Sequence, residues 1–116
     1  MPISCLDAAV LGAKEDIAAS GLTAPIVGHV GDGNFHLAIL VDPDDPEEMA
    51  RAVALNDRLV RRAIAADGTC TGEHGVGYGK TAFLELEHGP AVLAMMRAIK
   101  SALDPDGLFN PVKVAG

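Results

Sequence analysis

The sequence predicts an α+β fold: a small antiparallel sheet with helices packed on one face. Two observations predict it. The apolar runs "APIVGHV" (24–30) and "FHLAILV" (35–41) flank "GDGN", and Asp-Gly tolerates the positive φ of a tight hairpin turn. On both sides lie longer segments whose apolar residues recur at helical spacing. The 116 residues suffice for one domain with a core of its own, and 49% of them are apolar. Aromatics are only 3%, so Ala, Val, Leu, Ile and Met must build that core.

Residues 5–20 read as a helix, with Leu6, Val10 and Ile17 on one side, Ser4 as cap and Gly21 as terminator. The two strands follow. In "DPDDPEE", Asp45 suits an N-cap, Pro46 the first helical position, and Glu47 and Glu48 the first turn. The helix they open runs to about Ala66, with Met49, Val53, Val60 and Ile64 as its expected buried stripe. "ADGT" turns the chain, and a short extended segment leads through Cys70 into "GEHGVGYGKT" (72–81). Two more helices are expected, 80–87 and 90–103, the second opened by Gly89-Pro90, before an irregular tail, "LDPDGLFNPVKVAG". No repeat and no long linker divides the chain. The helix–hairpin–helix order resembles part of a ferredoxin-like layer.

Composition excludes several functions. The net charge is −7, and Arg61-Arg62 is the densest basic stretch, so nucleic acid is not an expected partner. No apolar run reaches membrane-spanning length, and no signal peptide is visible. Cys5 and Cys70 form neither a disulfide framework nor a metal-binding motif. Together these features lead us to expect a cytoplasmic setting.

The hairpin carries the first chemical candidates. With Asp32-Gly33 as the turn, His29 faces His36 directly, with Cβ atoms ~5 Å apart. The other face carries Ile26, Val30, Phe35, Leu37, Ile39 and Val41. Two imidazoles so placed can share a divalent ion, or they can be two half-exposed histidines on a polar sheet face.

The glycine-rich loop carries the second set. Gly79-Lys80-Thr81 match the end of a phosphate-binding loop, but its first glycine would fall at His74. "ADGTCTGE" is also not the apolar strand that feeds such loops. A nucleotide site is therefore a lesser alternative. Glu73 could complete a two-histidine, one-carboxylate site with His29 and His36, leaving positions open for a substrate. His74 would stand beside it, able to move a proton near neutral pH.

"GHVGDGNFHLAIL", "GEHGVGYGK" and "LDPDGLFNPVKV", in that order, resemble the C-terminal domain of FAD-linked 2-hydroxy-acid oxidases and dehydrogenases. These vanillyl-alcohol-oxidase-type flavoproteins include the glycolate oxidase flavoprotein subunit, D-lactate dehydrogenase and D-2-hydroxyglutarate dehydrogenase. The resemblance covers essentially the whole chain. It implies that His29, His36 and Glu73 hold a divalent metal, zinc by preference, and that His74 is the base on the substrate hydroxyl. It further implies that Asn110 contacts FAD and that Asn34 meets substrate or flavin. Lys80 can approach substrate or flavin phosphate, or it can be a solvated lysine at a helix start. In such an enzyme, hydride passes from C2 of a small 2-hydroxy acid to the flavin.

The resemblance also sets an expectation about what is missing. These 116 residues contain no dinucleotide fingerprint, so the FAD-binding domain is expected to be absent from the chain and supplied by another domain or subunit. The face it would cover is expected to associate with that partner or with a second copy. A non-enzymatic interaction module is the alternative.

Overall fold

A computed structural model describes residues 1–72 and 74–114. Among the described residues three α-helices and a two-stranded antiparallel sheet make an α+β fold. The chain divides between Gly68 and Thr69 into two compact units.

In the first unit a 3-10 turn, Ile3–Cys5, leads into α1, Leu6–Ser20. The expected Ser4 cap is displaced. Ser4 lies inside the turn, and Cys5 occupies the N-cap position without a side-chain bond. Gly21 does end the helix, in the left-handed conformation at φ 68°. The Ser20 hydroxyl then turns the chain. It donates to the Ile17 carbonyl at 2.7 Å and accepts the Leu22 amide at 3.2 Å.

β1 (Ile26–Val27) pairs with β2 (His36–Leu37) in the register Ile26 to Leu37 and Val27 to His36. An isolated bridge joins Thr23 to Leu40. These strands are shorter than the apolar runs suggest. Pro25 has no amide to donate to a ladder, and residues 30–32 coil into a 3-10 turn closed by Gly33 at φ 65°. The turn is therefore wider than a two-residue Asp-Gly hairpin, and the register differs from the expected one by two residues.

α2 spans Pro46–Ala65. The Asp45 carboxylate caps it, accepting the amides of Glu47 at 2.8 Å and Glu48 at 3.2 Å, an arrangement typically worth about 1 kcal/mol. Its buried residues include Leu55 and Val60, with Ala52 half-buried. Met49 and Val53 are exposed instead. The buried stripe passes through Ala52, which packs against the Leu55 cluster, and not through Val53. Leu55 has no exposed surface and packs with Leu22 and Ala24 against Ile17, Leu37, Ile39 and Val41. One sheet face thus meets α1 and α2, as the alternation requires. Asp16 of α1 accepts Arg62 at 2.6 Å and pairs with Arg58 at 3.2 Å. Gly12 makes room for this arrangement, because a Cβ there would lie 2.4 Å from the Arg62 guanidinium.

In the second unit α3 spans Thr81–Leu103 and breaks at Gly89 (φ 79°, ψ 164°), just before Pro90. The two expected helices are its two segments. Leu84, Leu93 and Cys70 are buried, whereas Met95 is mostly exposed. Beyond α3 the buried Asp104 gathers the chain into a knot. Its carboxylate accepts Lys100 and the amides of Leu108 at 2.9 Å and Phe109 at 3.0 Å. Lys100 also donates to the Phe109 carbonyl.

Candidate functional site

His29, Asn34 and His36 all lie on the hairpin, within the first unit. The His29 carbonyl accepts the amides of Asp32 at 2.9 Å and Asn34 at 3.3 Å, which fixes the base of the turn. His29 is exposed, while Asn34 and His36 are half-buried. The expected direct opposition of His29 and His36 is not found: His36 faces Val27. The cause is the 3-10 turn, which takes up the residues that a two-residue turn would have paired. His29 lies beyond the paired residues, at the N-cap of the 3-10 turn.

Gly28 explains how the strands come this close. A Cβ on it would lie 2.5 Å from both the Asn34 carbonyl oxygen and the Phe35 Cα. The glycine is required here by the approach of another backbone.

Beside the hairpin is an open apolar cleft of about 560 Å³. Leu6, Val10 and Leu11 of α1 line it with Ile26, Val30 and Phe35. Val30, expected on the buried face, is 65% exposed at its rim.

The second unit carries the glycine-rich loop. His74 is exposed and Lys80 half-buried. Glu73 lies outside the described residues. Gly75 (φ 74°) and Gly77 (φ 53°) hold left-handed conformations with open space around them. The Tyr78 carbonyl accepts the Thr81 hydroxyl at 3.0 Å, and the Lys80 amide donates to the Val76 carbonyl at 3.3 Å. The tail returns to this loop, where the Val114 amide donates to the Gly77 carbonyl at 3.0 Å and the Lys113 ammonium sits 5.3 Å from the Tyr78 ring centroid. Asn110 is exposed on that tail at φ 46°. Sequence reasoning left Lys113 and Asp104 without roles. The spacing of Lys100 and Asp104, one helical turn apart, was the available signal.

Cys70 leads into the loop. Its amide donates to the Glu87 carboxylate at 2.8 Å. Burial, then the hydrogen bond to Glu87, pushes its thiol from 9.0 up to about 11. Burial alone would raise the Glu87 carboxyl, but the bonds from Cys70 and Thr69 hold it below its ordinary value.

Among the described residues no three candidate ligands group together. The donors in hand are the two hairpin imidazoles, a chemistry that suits zinc.

The FAD linked oxidases, C-terminal domain family matches residues 1–114. The chain belongs to that family. A probable mitochondrial D-lactate dehydrogenase of Danio rerio is 50% identical over 98% of the chain and 23% of its own length. The mitochondrial D-lactate dehydrogenase [cytochrome] 1 of Saccharomyces cerevisiae is 48% identical over 98% of the chain and 19% of its own length. Glycolate oxidase subunit GlcD of Escherichia coli is 39% identical over 75% of the chain and 17% of its own length. The chain thus spans about a fifth of the length of these relatives. The D-lactate dehydrogenase relatives are mitochondrial, which corrects the cytoplasmic expectation. Two cysteines without a disulfide do not tell one compartment from another.

Proposed function

We propose that this chain is the metal- and substrate-binding part of an FAD-dependent enzyme. The enzyme oxidises a 2-hydroxy acid of the D-lactate, glycolate or D-2-hydroxyglutarate type to the 2-oxo acid. The observation that carries the reading is the family match over residues 1–114, together with the D-lactate dehydrogenase relatives. His29, His36 and Glu73 are the proposed ligands of a divalent ion, zinc by its donor set. When bound, the ion lowers the pKa of an alcohol and FAD takes up a hydride. His74 accepts the hydroxyl proton. Asn34 and Lys80 orient the substrate, and Asn110, exposed on the tail, meets the flavin held by its own domain.

Elemental analysis after exhaustive dialysis tests the ligand set without needing the flavin. About one equivalent of metal is expected in the wild type and little in His29→Ala, His36→Ala or Glu73→Ala, while His74→Ala retains it. Loss of metal in His74→Ala with retention in Glu73→Ala would exchange the two roles. An equal metal content in all variants would remove the ligand assignment.

The cleft beside the hairpin supports a second reading, in which this chain also acts as an interaction module. Its exposed apolar residues suit a docking surface, and we assign it to the FAD-binding domain.

A further inference from the structure

The glycine-rich loop poses a physical problem. Glycines at 75, 77 and 79 give it wide conformational freedom, and a Cβ at any of them would meet nothing within 4 Å. A base carried by such a loop needs something to fix it, because catalytic geometry tolerates little misplacement. Within the second unit the tail supplies a hold at both of its ends. At its root, Asp104 gathers Lys100 and the Leu108 and Phe109 amides. At its tip, the Val114 amide bonds the Gly77 carbonyl at 3.0 Å, and Lys113 sits over the Tyr78 ring. Between these anchors Asn110 and Val112 have positive φ, at 46° and 57°.

We propose that residues 104–114 form a strap that positions His74 by clamping the glycine-rich loop at Gly77 and Tyr78. Lys113 and Asp104 are positioning residues in this arrangement and touch no substrate. The proposal rests on the reading of His74 as the base, but its test does not.

Amide hydrogen exchange is measured on the full chain for wild type, Lys113→Ala, Lys113→Arg and Val114→Pro, which has no amide to donate and cannot take the positive φ of Val114, so that it removes the whole tip contact. Loop amides from Gly75 to Lys80 are expected to exchange about threefold faster in Lys113→Ala, as loss of an exposed cation–π contact implies. Val114→Pro is expected to speed them about three- to tenfold. Lys113→Arg, which keeps the cation over the ring, restores protection. Amides within α3 stay unchanged in all three, which separates loosening of the loop from unfolding. With an FAD-binding domain supplied, Lys113→Ala lowers kcat while KM holds, and Lys113→Arg recovers it. Unchanged loop exchange in both Lys113→Ala and Val114→Pro would overturn the strap. Full turnover in His74→Ala would overturn the base assignment instead, and leave the exchange result standing.

Discussion

Gly28 is the position where the hairpin is most sharply constrained, and Gly28→Ala tests that constraint. The added methyl would lie 2.5 Å from both the Asn34 oxygen and the Phe35 Cα, and 2.7 Å from the Phe35 Cβ. Two of the three atoms are backbone, so no rotamer change relieves the clash. The strands must separate or the turn must shift. Overpacking costs about 1–3 kcal/mol, and an obstacle made of backbone places this site in the upper half, about 2–3 kcal/mol. For a chain of this size that lowers Tm by about 8–12 °C.

Gly31→Ala is the internal control. It lies three residues on, where a Cβ meets nothing within 4 Å, so its stability should stay within about 1 kcal/mol of wild type. Both variants are followed by circular dichroism on heating, with amide exchange at Leu40 reporting its bond to Thr23, which is 2.9 Å long. Gly28→Ala should melt early and lose protection at Leu40. Gly28 precedes His29, so on the proposed ligand set its metal retention falls as well. Equal melting of the two variants would refute the close-approach argument and with it the two-residue shift in register.

Two further predictions concern titratable groups in the second unit. The Cys70 thiol is raised from 9.0 to about 11, so near pH 8 it carries about 100-fold less thiolate than an ordinary cysteine. A thiol-alkylating reagent at that pH should label Cys5 well before Cys70 and reach Cys70 only as pH rises towards 11; comparable labelling at pH 8 would contradict its burial. The Asp104 carboxyl is held below its ordinary 3.8, first by Lys100 and then by the Leu108 and Phe109 amides against the opposing effect of burial. A depressed carboxyl stabilises above its unfolded pKa and is lost as pH falls through its folded value. Proteolysis of residues 105–114 should therefore accelerate in wild type as pH falls below 3.8 and through the lower folded value, and already at neutral pH in Asp104→Asn.

The helices were legible because their ends are written locally. Asp45-Pro46 opens α2, Gly21 closes α1, and Gly89-Pro90 breaks α3. Each signal acts through a backbone group or a φ angle within a residue or two. The hairpin was legible as a hairpin but not in its register. Asp32-Gly33 does mark the turn, yet only Gly33 takes a positive φ, while Asp32 belongs to the preceding 3-10 turn. The choice between a tight turn and a wider one depends on how closely the strands approach at Gly28. That is a contact between residues 28 and 35, not a property of the turn dipeptide.

The proposed site was legible as a set of residue types and illegible as a geometry, for a similar reason. Motif order places two imidazoles on the hairpin and a Glu-His pair after Gly72, but Gly68 and Thr69 divide the two stretches between compact units. No local rule carries a distance across such a division. Within the second unit the case is different. The tail reads as loop because it is rich in Pro, Asp and Gly, yet Lys100 and Asp104 stand one turn apart where α3 ends. The Asp104 carboxylate at the end of α3 reaches past Pro105, Asp106 and Gly107 to accept the amides of Leu108 and Phe109, while its carbonyl accepts the Gly107 amide. The tail ordered in this way reaches the glycine-rich loop, where the Val114 amide bonds the Gly77 carbonyl and adds to the loop's own bonds from Lys80 to Val76 and from Thr81 to Tyr78.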